Sequence, residues 1–360
     1  MAASQEQVTI FDGHNDVLLR LRKHGGSFFE RAEDAQLDLP RAREGGLGGG
    51  FFAVFIPGAE EDAPSKPDAA QGVADASLAA YADTSTMPPT PDLATAQRKA
   101  LGMTADLFRI EASSGGQVKV IRTADELANC LANGVLAAIL HFEGAEAIDP
   151  ELEALEVFYR AGLRSIGPVW SRPNRFAEGV PFAFPSSPDT GNGLTEAGRA
   201  LVQACNRLGI MIDLSHLNEK GFWDVQKLST APLVATHSNA HAICGASRNL
   251  TDRQLAAIRE SDGMVGVNFH VGFLRPDGER TPETPLTVIA DHVDYLVEHL
   301  GIDRVGFGSD FDGATMPREL TDAAGLPKLV ETLRQRGYGE ADLRKLGHEN
   351  WVRVLRATWH

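Results

Sequence analysis

The sequence predicts an α/β fold, a (β/α)₈ barrel of the TIM type. Eight short apolar runs typical of buried strands alternate with segments of helical periodicity, which is the pattern of parallel βα units. Five of these runs end on His, Glu or Asp, and the carboxyl ends of barrel strands form the mouth where catalytic groups lie. An open doubly wound sheet is the alternative, but the first strand is not followed by a glycine-rich phosphate-binding turn.

The predicted elements follow one another along the whole chain. The eight strands are residues 8–11, 51–56, 136–144, 163–169, 210–216, 233–237, 264–269 and 304–310, and a short apolar stretch lies at 118–122. Helices are predicted at 17–24, 93–112, 123–133, 151–161, 195–208, 220–228, 252–260, 285–300, 322–334 and 340–357. Residues 41–50 become rich in glycine, which predicts a loop.

One segment does not fit the alternation of strands and helices. Residues 58–90, after the second strand, are rich in Ala, Asp, Ser and Pro and have little periodicity. They predict a surface insertion or lid rather than a linker between domains. Residues 1–360 are therefore expected to form a single domain.

Composition limits the partners and the compartment. The chain has 34 Lys and Arg against 49 Asp and Glu, a net charge of −15, so neither nucleic acid nor an anionic membrane is an expected partner. Three widely spaced cysteines indicate buried thiols in a reducing compartment. Residues 1–7 lack a signal-peptide pattern, and the apolar runs are too short to span a bilayer. We therefore expect a cytoplasmic protein.

Ionisable residues stand at the ends of five predicted strands. His14 and Asp16 follow the first strand, and because side chains alternate along an extended chain, both point the same way and can bind one cation. The third, fifth, sixth and eighth strands end on Glu143, His216, His237 and Asp310. Burying so many ionisable groups in one barrel mouth is costly unless cations compensate them. The sequence therefore predicts a metal site.

Taken singly, these residues have other interpretations. A lone His at a strand end is most often a hydrogen-bonded structural residue. Glu143 could be a carboxylate at a helix N-terminus. Asp310, with Asp312 and Gly313, could form an Asp turn or the start of a calcium loop that lacks its later ligands. Only their combination favours a metal.

Three histidines and two carboxylates exceed what one catalytic zinc ion needs. We predict two divalent ions bridged by Glu143 and a hydroxide, one held by His14 and Asp16 and the other by His216 and His237. A mixed nitrogen and oxygen shell suits Zn²⁺ best, with Mn²⁺, Co²⁺ and Fe²⁺ as alternatives.

Asp310 is not needed as a ligand in this scheme. The two ions would generate the hydroxide near neutral pH and polarise a carbonyl. Asp310 would then take the proton of the hydroxide and pass it to a leaving amine, so we assign the catalytic roles to Asp310 and Glu143.

Six motifs occur in a characteristic order. They are Asp-Gly-His-Asn-Asp at 12–16, His-Phe-Glu-Gly at 141–144, Asp-Leu-Ser-His at 213–216, His-Ser-Asn-Ala at 237–240, Ser-Arg-Asn at 247–249 and Gly-Ser-Asp-Phe-Asp-Gly at 308–313. Together they resemble the membrane (renal) dipeptidase family of zinc metallopeptidases, within the amidohydrolase superfamily. The resemblance covers nearly the whole chain. It implies a binuclear zinc barrel that hydrolyses dipeptides, often with a D-residue at the C-terminal position, and is frequently a homodimer.

The resemblance also implies substrate-binding residues. Arg248 matches the arginine that holds the terminal carboxylate of the dipeptide, a role that suits a planar guanidinium; the alternative is a surface arginine near a helix start. Trp170 stands where family members commonly carry a His that polarises the scissile carbonyl. A tryptophan cannot shuttle a proton, so the metal, Arg172 or Arg175 would have to take over that task. His270 replaces a Tyr of several members, and either contacts substrate or caps its strand.

The sequence therefore predicts a metal-dependent dipeptidase. A related amidohydrolase that cleaves another small amide, such as an N-acyl amino acid, is the first alternative, and the Trp170 departure is its best support. The second alternative is a non-catalytic ligand-binding barrel. That alternative predicts a lost metal ligand or a lost Asp310, and none of them is lost.

Overall fold

Eight parallel strands are arranged in one sheet that curls toward a barrel. The computed structural model describes residues 7–58, 81–83 and 87–359. In the order of hydrogen-bonded neighbours the strands run β6-β5-β4-β2-β1-β9-β8-β7. Their bounds are β1 Ile10–Asn15, β2 Leu47–Phe55, β4 Leu136–Glu143, β5 Leu163–Ile166, β6 Met211–Ile212, β7 Val234–Ala235, β8 Met264–Asn268 and β9 Val305–Gly308. The short strand β3, Val118–Val120, pairs in parallel with the start of β4, outside this path.

The barrel closes between β6 and β7. A parallel bridge joins Asp213 to Val234, and the backbone N–H of Leu214 donates to the Val234 carbonyl at 2.9 Å. The predicted TIM-type fold is confirmed, with β3 as an addition to the eight barrel strands.

Helices follow most strands and pack outside the barrel. They are α1 Val17–His24, α2 Leu39–Gly45, α3 Leu93–Ser113, α4 Ala124–Ala132, α5 Glu153–Ala161, α6 Glu196–Leu208, α7 Glu219–Leu228, α8 Asp252–Glu260, α9 Leu286–Leu300, α10 Leu326–Gln335, α11 Glu340–Arg344 and α12 Asn350–Thr358. Each buries an apolar face; that of α9, for example, contains Ile289, Val293 and Leu296. Burial of such faces is the main stabilising term for the helices.

The end of the barrel opposite the mouth is filled. The indole of Trp351 on α12 lies inside it, donates to the Phe307 carbonyl at 3.2 Å, and packs edge-on against Phe51. Phe11, Met264 and neighbouring apolar side chains complete this plug. The carboxyl mouth is therefore the end of the barrel at which a site can form.

Two predicted boundaries near the second strand were wrong. The first half of the segment predicted as a loop, residues 41–50, belongs to α2, which begins where the Asp38 side chain accepts from the Arg41 N–H at 2.9 Å. The glycines that follow belong to β2 itself. At Gly49 a Cβ would lie 2.5 Å from the Ala137 carbonyl oxygen, so this glycine permits the close approach of β2 and β4.

Five other segments are shorter or more interrupted than predicted. The strands predicted at 163–169, 210–216 and 233–237 end early, at Ile166, Ile212 and Ala235. After the last two strands, the N–H groups of Ser215, Thr236 and His237 donate to side-chain oxygens instead of a strand. The helix predicted at 322–334 begins as a 3₁₀ turn, Ala323–Gly325, before α10. The helix predicted at 340–357 is broken by a π-helical turn, Lys345–Glu349, where His348 contacts the Thr9 carbonyl at 3.0 Å.

The predicted insertion at 58–90 lies largely outside the described residues. None of the helices in the described ranges is long and apolar enough to cross a membrane.

Candidate metal centre

The six ionisable residues predicted for the site come together at the carboxyl mouth. His14 lies near the end of β1, with Asp16 directly after the strand, and Glu143 is the last residue of β4. His216 and His237 lie in the loops after β6 and β7, and Asp310 follows β9. All except Asp310, which is partly exposed, are buried.

One carboxylate oxygen lies at the centre of the cluster. Oε1 of Glu143 is 2.9 Å from Nε2 of His216, 3.6 Å from Nε2 of His237 and 3.7 Å from Nε2 of His14. The Nε2 atom of His14 is also 3.3 Å from Oδ2 of Asp16. Oε1 of Glu143 therefore lies close to a histidine nitrogen from both predicted ligand sets.

Three overlapping groups have ligand atoms within 4.8 Å of one another. They are His14, Asp16 and Glu143; Glu143, His216 and His237; and His14, His237 and Asp310. The first two match the two predicted sets of metal ligands, with Glu143 common to both. The third brings Asp310 to the side of the cluster formed by His14 and His237.

Two of the histidines are held in a form suited to metal binding. Nδ1 of His216 lies 2.8 Å from the Ser171 hydroxyl, and Nδ1 of His237 lies 2.8 Å from the Thr236 hydroxyl. Burial lowers the pKa of both imidazoles well below the usual value. Both imidazoles are therefore neutral at physiological pH, and in the tautomer that carries its hydrogen on Nδ1 the Nε2 lone pair is free for a cation.

The electrostatics of the cluster fit a divalent ion. Burial raises the pKa of Glu143 well above its usual value, and the nearby carboxylates of Asp16 and Asp310 raise it further. Burial lowers the pKa of His14, but attraction to Glu143, Asp16 and Asp310 outweighs it and raises this pKa to about 10. Both pKa shifts mean that the buried carboxylates favour bound protons on Glu143 and His14, which reduce the negative charge of the cluster. Divalent ions would neutralise the same negative charge, so these residues fit a metal.

Asp310 is fixed by its backbone and by one neighbour. Its φ of 67° is in the left-handed region, which is costly for a non-glycine residue and is often found at functional sites. Its N–H donates to the His14 carbonyl at 3.0 Å, and Oδ2 accepts from the amide of Asn268 at 3.0 Å. The carboxylate is therefore held beside the predicted metal ligands at the more open side of the cluster.

The comparison with known proteins gives the same family as the motifs. The family described as membrane dipeptidase, peptidase family M19, matches residues 1–359. The chain belongs to the membrane dipeptidase family. Members of this family are metallopeptidases, and the protein is a metal-dependent dipeptidase.

Two solved structures and one curated sequence illustrate the similarity. A metallo peptidase from Rhodobacter sphaeroides, liganded with a phosphinate mimic of the dipeptide L-Ala-D-Ala, is 50% identical with a TM-score of 0.92, over 98% of this chain and 100% of that one. A second M19 structure, dipeptidase AC, is 51% identical with a TM-score of 0.90, over 98% and 99%. An uncharacterised Klebsiella pneumoniae protein encoded in the pqqA 5' region is 53% identical over 255 residues, 71% of this chain and 94% of that protein.

Arg248 of this dipeptidase is a buried residue, 3% exposed, and not a surface arginine. Nη1 donates to the Ser215 carbonyl and, at 3.1 Å, to the Ser238 hydroxyl, while Nη2 donates to the His237 carbonyl at 3.1 Å. Burial lowers its pKa to about 10, so the group stays charged at neutral pH. The guanidinium thus braces the loops that carry His216 and His237. Its Nε is buried and has no hydrogen-bond partner among the described residues.

Trp170 forms part of an aromatic wall beside the cluster. Its ring centroid lies 5.7 Å from that of His216 and 4.9 Å from that of Phe55. Phe182 and Tyr81 pack edge-on against the same indole. Trp170 therefore shields one face of the predicted ligand His216 and borders the mouth with apolar surface.

Neither arginine considered as a replacement for the family His lies free at the mouth. Arg172 is buried behind the aromatic wall, where it contacts the rings of Phe55 and Trp170 and forms an ion pair with Glu146 at 3.9 Å. Arg175 is exposed. The geometry assigns the polarising task to neither residue.

His270 caps the 3₁₀ turn Val271–Phe273, because its Nδ1 accepts from the Gly272 N–H at 3.2 Å. Burial lowers the pKa of this imidazole. His270 thus caps the turn that follows β8, and a contact with substrate stays a prediction.

Residues that support the ligands were not singled out from the sequence. They are His141, Ser171, Asp213, Thr236 and Asn268. A signal for His141 existed, since it is two positions before Glu143 on one strand and so faces the same side. Its Nδ1 contacts the Ser165 hydroxyl at 2.9 Å, and burial lowers its pKa to about 3. Thr236 directly precedes His237 and contacts its Nδ1. Ser171, Asp213 and Asn268 contact residues of other segments, His216, Thr236 and Asp310, and no local pattern marks such contacts.

Proposed function

We propose that this metallopeptidase hydrolyses small dipeptides, including those with a C-terminal D-residue, at a binuclear zinc centre. The observation that carries the proposal is the position of Glu143, whose Oε1 lies 2.9–3.7 Å from Nε2 of three histidines. The R. sphaeroides relative binds a mimic of L-Ala-D-Ala and is 50% identical. Its ligand supports the same substrate class for this chain.

The ligand sets follow from the two groups around Glu143. His14 and Asp16 would hold one ion, His216 and His237 the other, and Glu143 would bridge them. Imidazole together with carboxylate favours Zn²⁺ over harder cations. When bound, the ions supply Lewis-acid polarisation of the scissile carbonyl and an activated water.

Asp310 would move the proton. As the water oxygen bonds to the carbonyl carbon and the C–N bond breaks, one proton must pass from the water to the leaving nitrogen. Asp310 is the carboxylate at the open side of the cluster that is not part of either proposed ligand set, and the amide of Asn268 holds its Oδ2. It can accept the proton and deliver it without a change of position.

Two neighbouring features would select the substrate. The buried positive charge of Arg248 lies against the His216 and His237 loops, where it would attract the terminal carboxylate of the dipeptide. The wall around Trp170 would limit the size of the substrate side chain and exclude water. Small residues such as alanine are therefore the proposed preference.

The test is zinc content by mass spectrometry, followed by hydrolysis of L-Ala-L-Ala, L-Ala-D-Ala and larger dipeptides, with N-acetyl-alanine in the same series. The proposal expects two zinc ions per chain and cleavage of the alanine dipeptides. Cleavage of N-acetyl-alanine alone would favour the second candidate, an amidohydrolase of N-acyl amino acids. Trp170, in place of the family His, is the observation that favours this candidate.

We also propose a single-domain enzyme that works as a homodimer in the cytoplasm. The three cysteines, Cys130, Cys205 and Cys244, are buried and unpaired, which suits a reducing compartment. Light scattering of the purified protein would test the oligomeric state.

A further inference from the structure

The carboxylate of Asp213 links the two loops that carry His216 and His237. Oδ1 accepts from the Ser215 N–H at 3.1 Å, the Ser215 hydroxyl at 2.6 Å and the Thr236 N–H at 2.9 Å. Oδ2 accepts from the Thr236 hydroxyl at 2.6 Å. Asp213 is 4% exposed and lies where the barrel closes. Oδ1 thus binds two backbone N–H groups and the Ser215 hydroxyl, while Oδ2 binds the Thr236 hydroxyl.

The hydrogen bonds of Thr236 fix the tautomer of His237. An ionised carboxylate can only accept, so the single hydroxyl hydrogen of Thr236 is directed at Asp213. The Thr236 oxygen, 2.8 Å from Nδ1 of His237, must then accept from that nitrogen. His237 therefore carries its hydrogen on Nδ1. Its Nε2, 3.6 Å from Oε1 of Glu143 and 3.1 Å from Nε2 of His216, keeps a lone pair for the proposed ion.

The other histidine of the same ligand pair has a weaker support. Nδ1 of His216 contacts the Ser171 hydroxyl at 2.8 Å. Within the described ranges, no carboxylate is hydrogen-bonded to that hydroxyl. A serine alone can donate or accept, so it does not fix the tautomer of His216. The two histidines are thus supported unequally.

We propose that Thr236 and Asp213 are positioning residues that form a carboxylate–hydroxyl–imidazole relay and make His237 the stronger zinc donor of its pair. This inference rests on the proposed function, since it assumes that His237 binds zinc. A carboxylate behind the hydroxyl polarises the Nδ1–H bond and raises the basicity of Nε2. Partners of this kind typically change metal affinity roughly 10- to 100-fold.

The experiment measures zinc affinity by chelator competition in the full-length protein. Thr236→Val keeps the shape of the side chain and the three hydrogen bonds to Oδ1, but removes the relay. We expect it to lower the affinity for one of the two ions roughly 10- to 100-fold. Thr236→Ser, which restores the hydroxyl, should return the affinity to near that of the wild type. Ser171→Ala is the matched control for His216 and should cost less than Thr236→Val.

The inference is overturned if Thr236→Val binds both ions as tightly as the wild type, or if Ser171→Ala costs as much. A second measurement does not depend on whether a variant folds. The ¹⁵N spectra of histidine-labelled, zinc-free wild type should show His237 with its hydrogen on Nδ1. A hydrogen on Nε2 would overturn the inference. Failure of the proposed function would look different, because the wild type itself would then bind fewer than two zinc ions or cleave no dipeptide. The ¹⁵N spectra would still test the relay in that case.

Discussion

The side-chain amide of Asn268 donates to Oδ2 of Asp310 over 3.0 Å. Asn268 is the last residue of β8, and its own Oδ1 accepts from the His270 N–H at 2.6 Å. That second bond fixes which side of the amide carries the hydrogens, so the donor faces Asp310. A residue in a rigid strand thus holds the proposed proton carrier, which stands on a strained loop.

Replacing Asn268 by Ala should lower kcat roughly tenfold and change KM little, because Asp310 would lose its orientation while the substrate contacts remain. Steady-state kinetics on L-Ala-D-Ala, with zinc content measured in parallel, would check this. Asn129→Ala, at an exposed position of α4, is the control. A raised KM with unchanged kcat would show that Asn268 binds substrate instead.

Arg248→Lys should raise KM at least about tenfold and also destabilise the fold. Lysine keeps the positive charge but cannot span the Ser215 carbonyl, the Ser238 hydroxyl and the His237 carbonyl together. Buried groups that lose a partner cost about 1–3 kcal/mol. Kinetics and urea unfolding of the two proteins would measure both effects. An unchanged KM would argue against the carboxylate-binding role.

The carbonyl of Thr236 is packed tightly by three glycines of the barrel interior. A Cβ at Gly13, Gly266 or Gly308 would lie 2.0–2.1 Å from its oxygen. Because the next residue is His237, Gly266→Ala should destabilise the protein by about 1–3 kcal/mol and reduce bound zinc. Gly245→Ala, where the nearest atom is 4.0 Å away, is the control and should be close to neutral. Thermal unfolding and metal analysis would check both variants.

His292 should make stability depend on pH. Burial lowers its pKa from 6.5 to about 4, and the imidazole lies between the Ala240 N–H at 3.2 Å and the Leu274 carbonyl at 2.8 Å. The folded protein binds this proton less readily than the unfolded chain does. The contribution of neutral His292 to the free energy of unfolding is therefore complete above pH 6.5. It is lost as the pH falls toward 4, and the total loss is up to about 3 kcal/mol.

Urea unfolding of the wild type and of His292→Gln between pH 7 and pH 4.5 would test this. Glutamine offers both a donor and an acceptor but does not titrate. The stability difference between the two proteins should therefore shrink as the pH falls. Burial also raises the pKa of Asp12 to about 6 and that of Asp312 to about 7. Because both groups are present in the wild type and in the variant, their effects cancel in the stability difference. A difference that does not vary with pH would contradict the prediction.

The barrel and the six residues at its mouth could be predicted, because both follow from local rules. Parallel strands direct their ends to one face, and two-residue periodicity places His14 and Asp16 together. Asp213 could not be found in this way, since it acts on Thr236 across the closure of the barrel. Helix α2 was missed because the prediction for residues 41–50 rested on their glycines, and most of these lie beyond the end of the helix at Gly45. The hydrogen bonds of Arg248 to the carbonyls of Ser215 and His237 could not be predicted either, because these carbonyls lie in two separate loops.

The most direct test of the proposed mechanism compares the wild type with Asp310→Asn. Asparagine is similar in shape but cannot carry the proton, so hydrolysis of L-Ala-D-Ala should fall by roughly 10²- to 10⁴-fold, with both zinc ions retained. Loss of zinc together with activity would instead make Asp310 a metal ligand. Activity close to that of the wild type, with zinc bound, would contradict the proposed role of Asp310 in proton transfer.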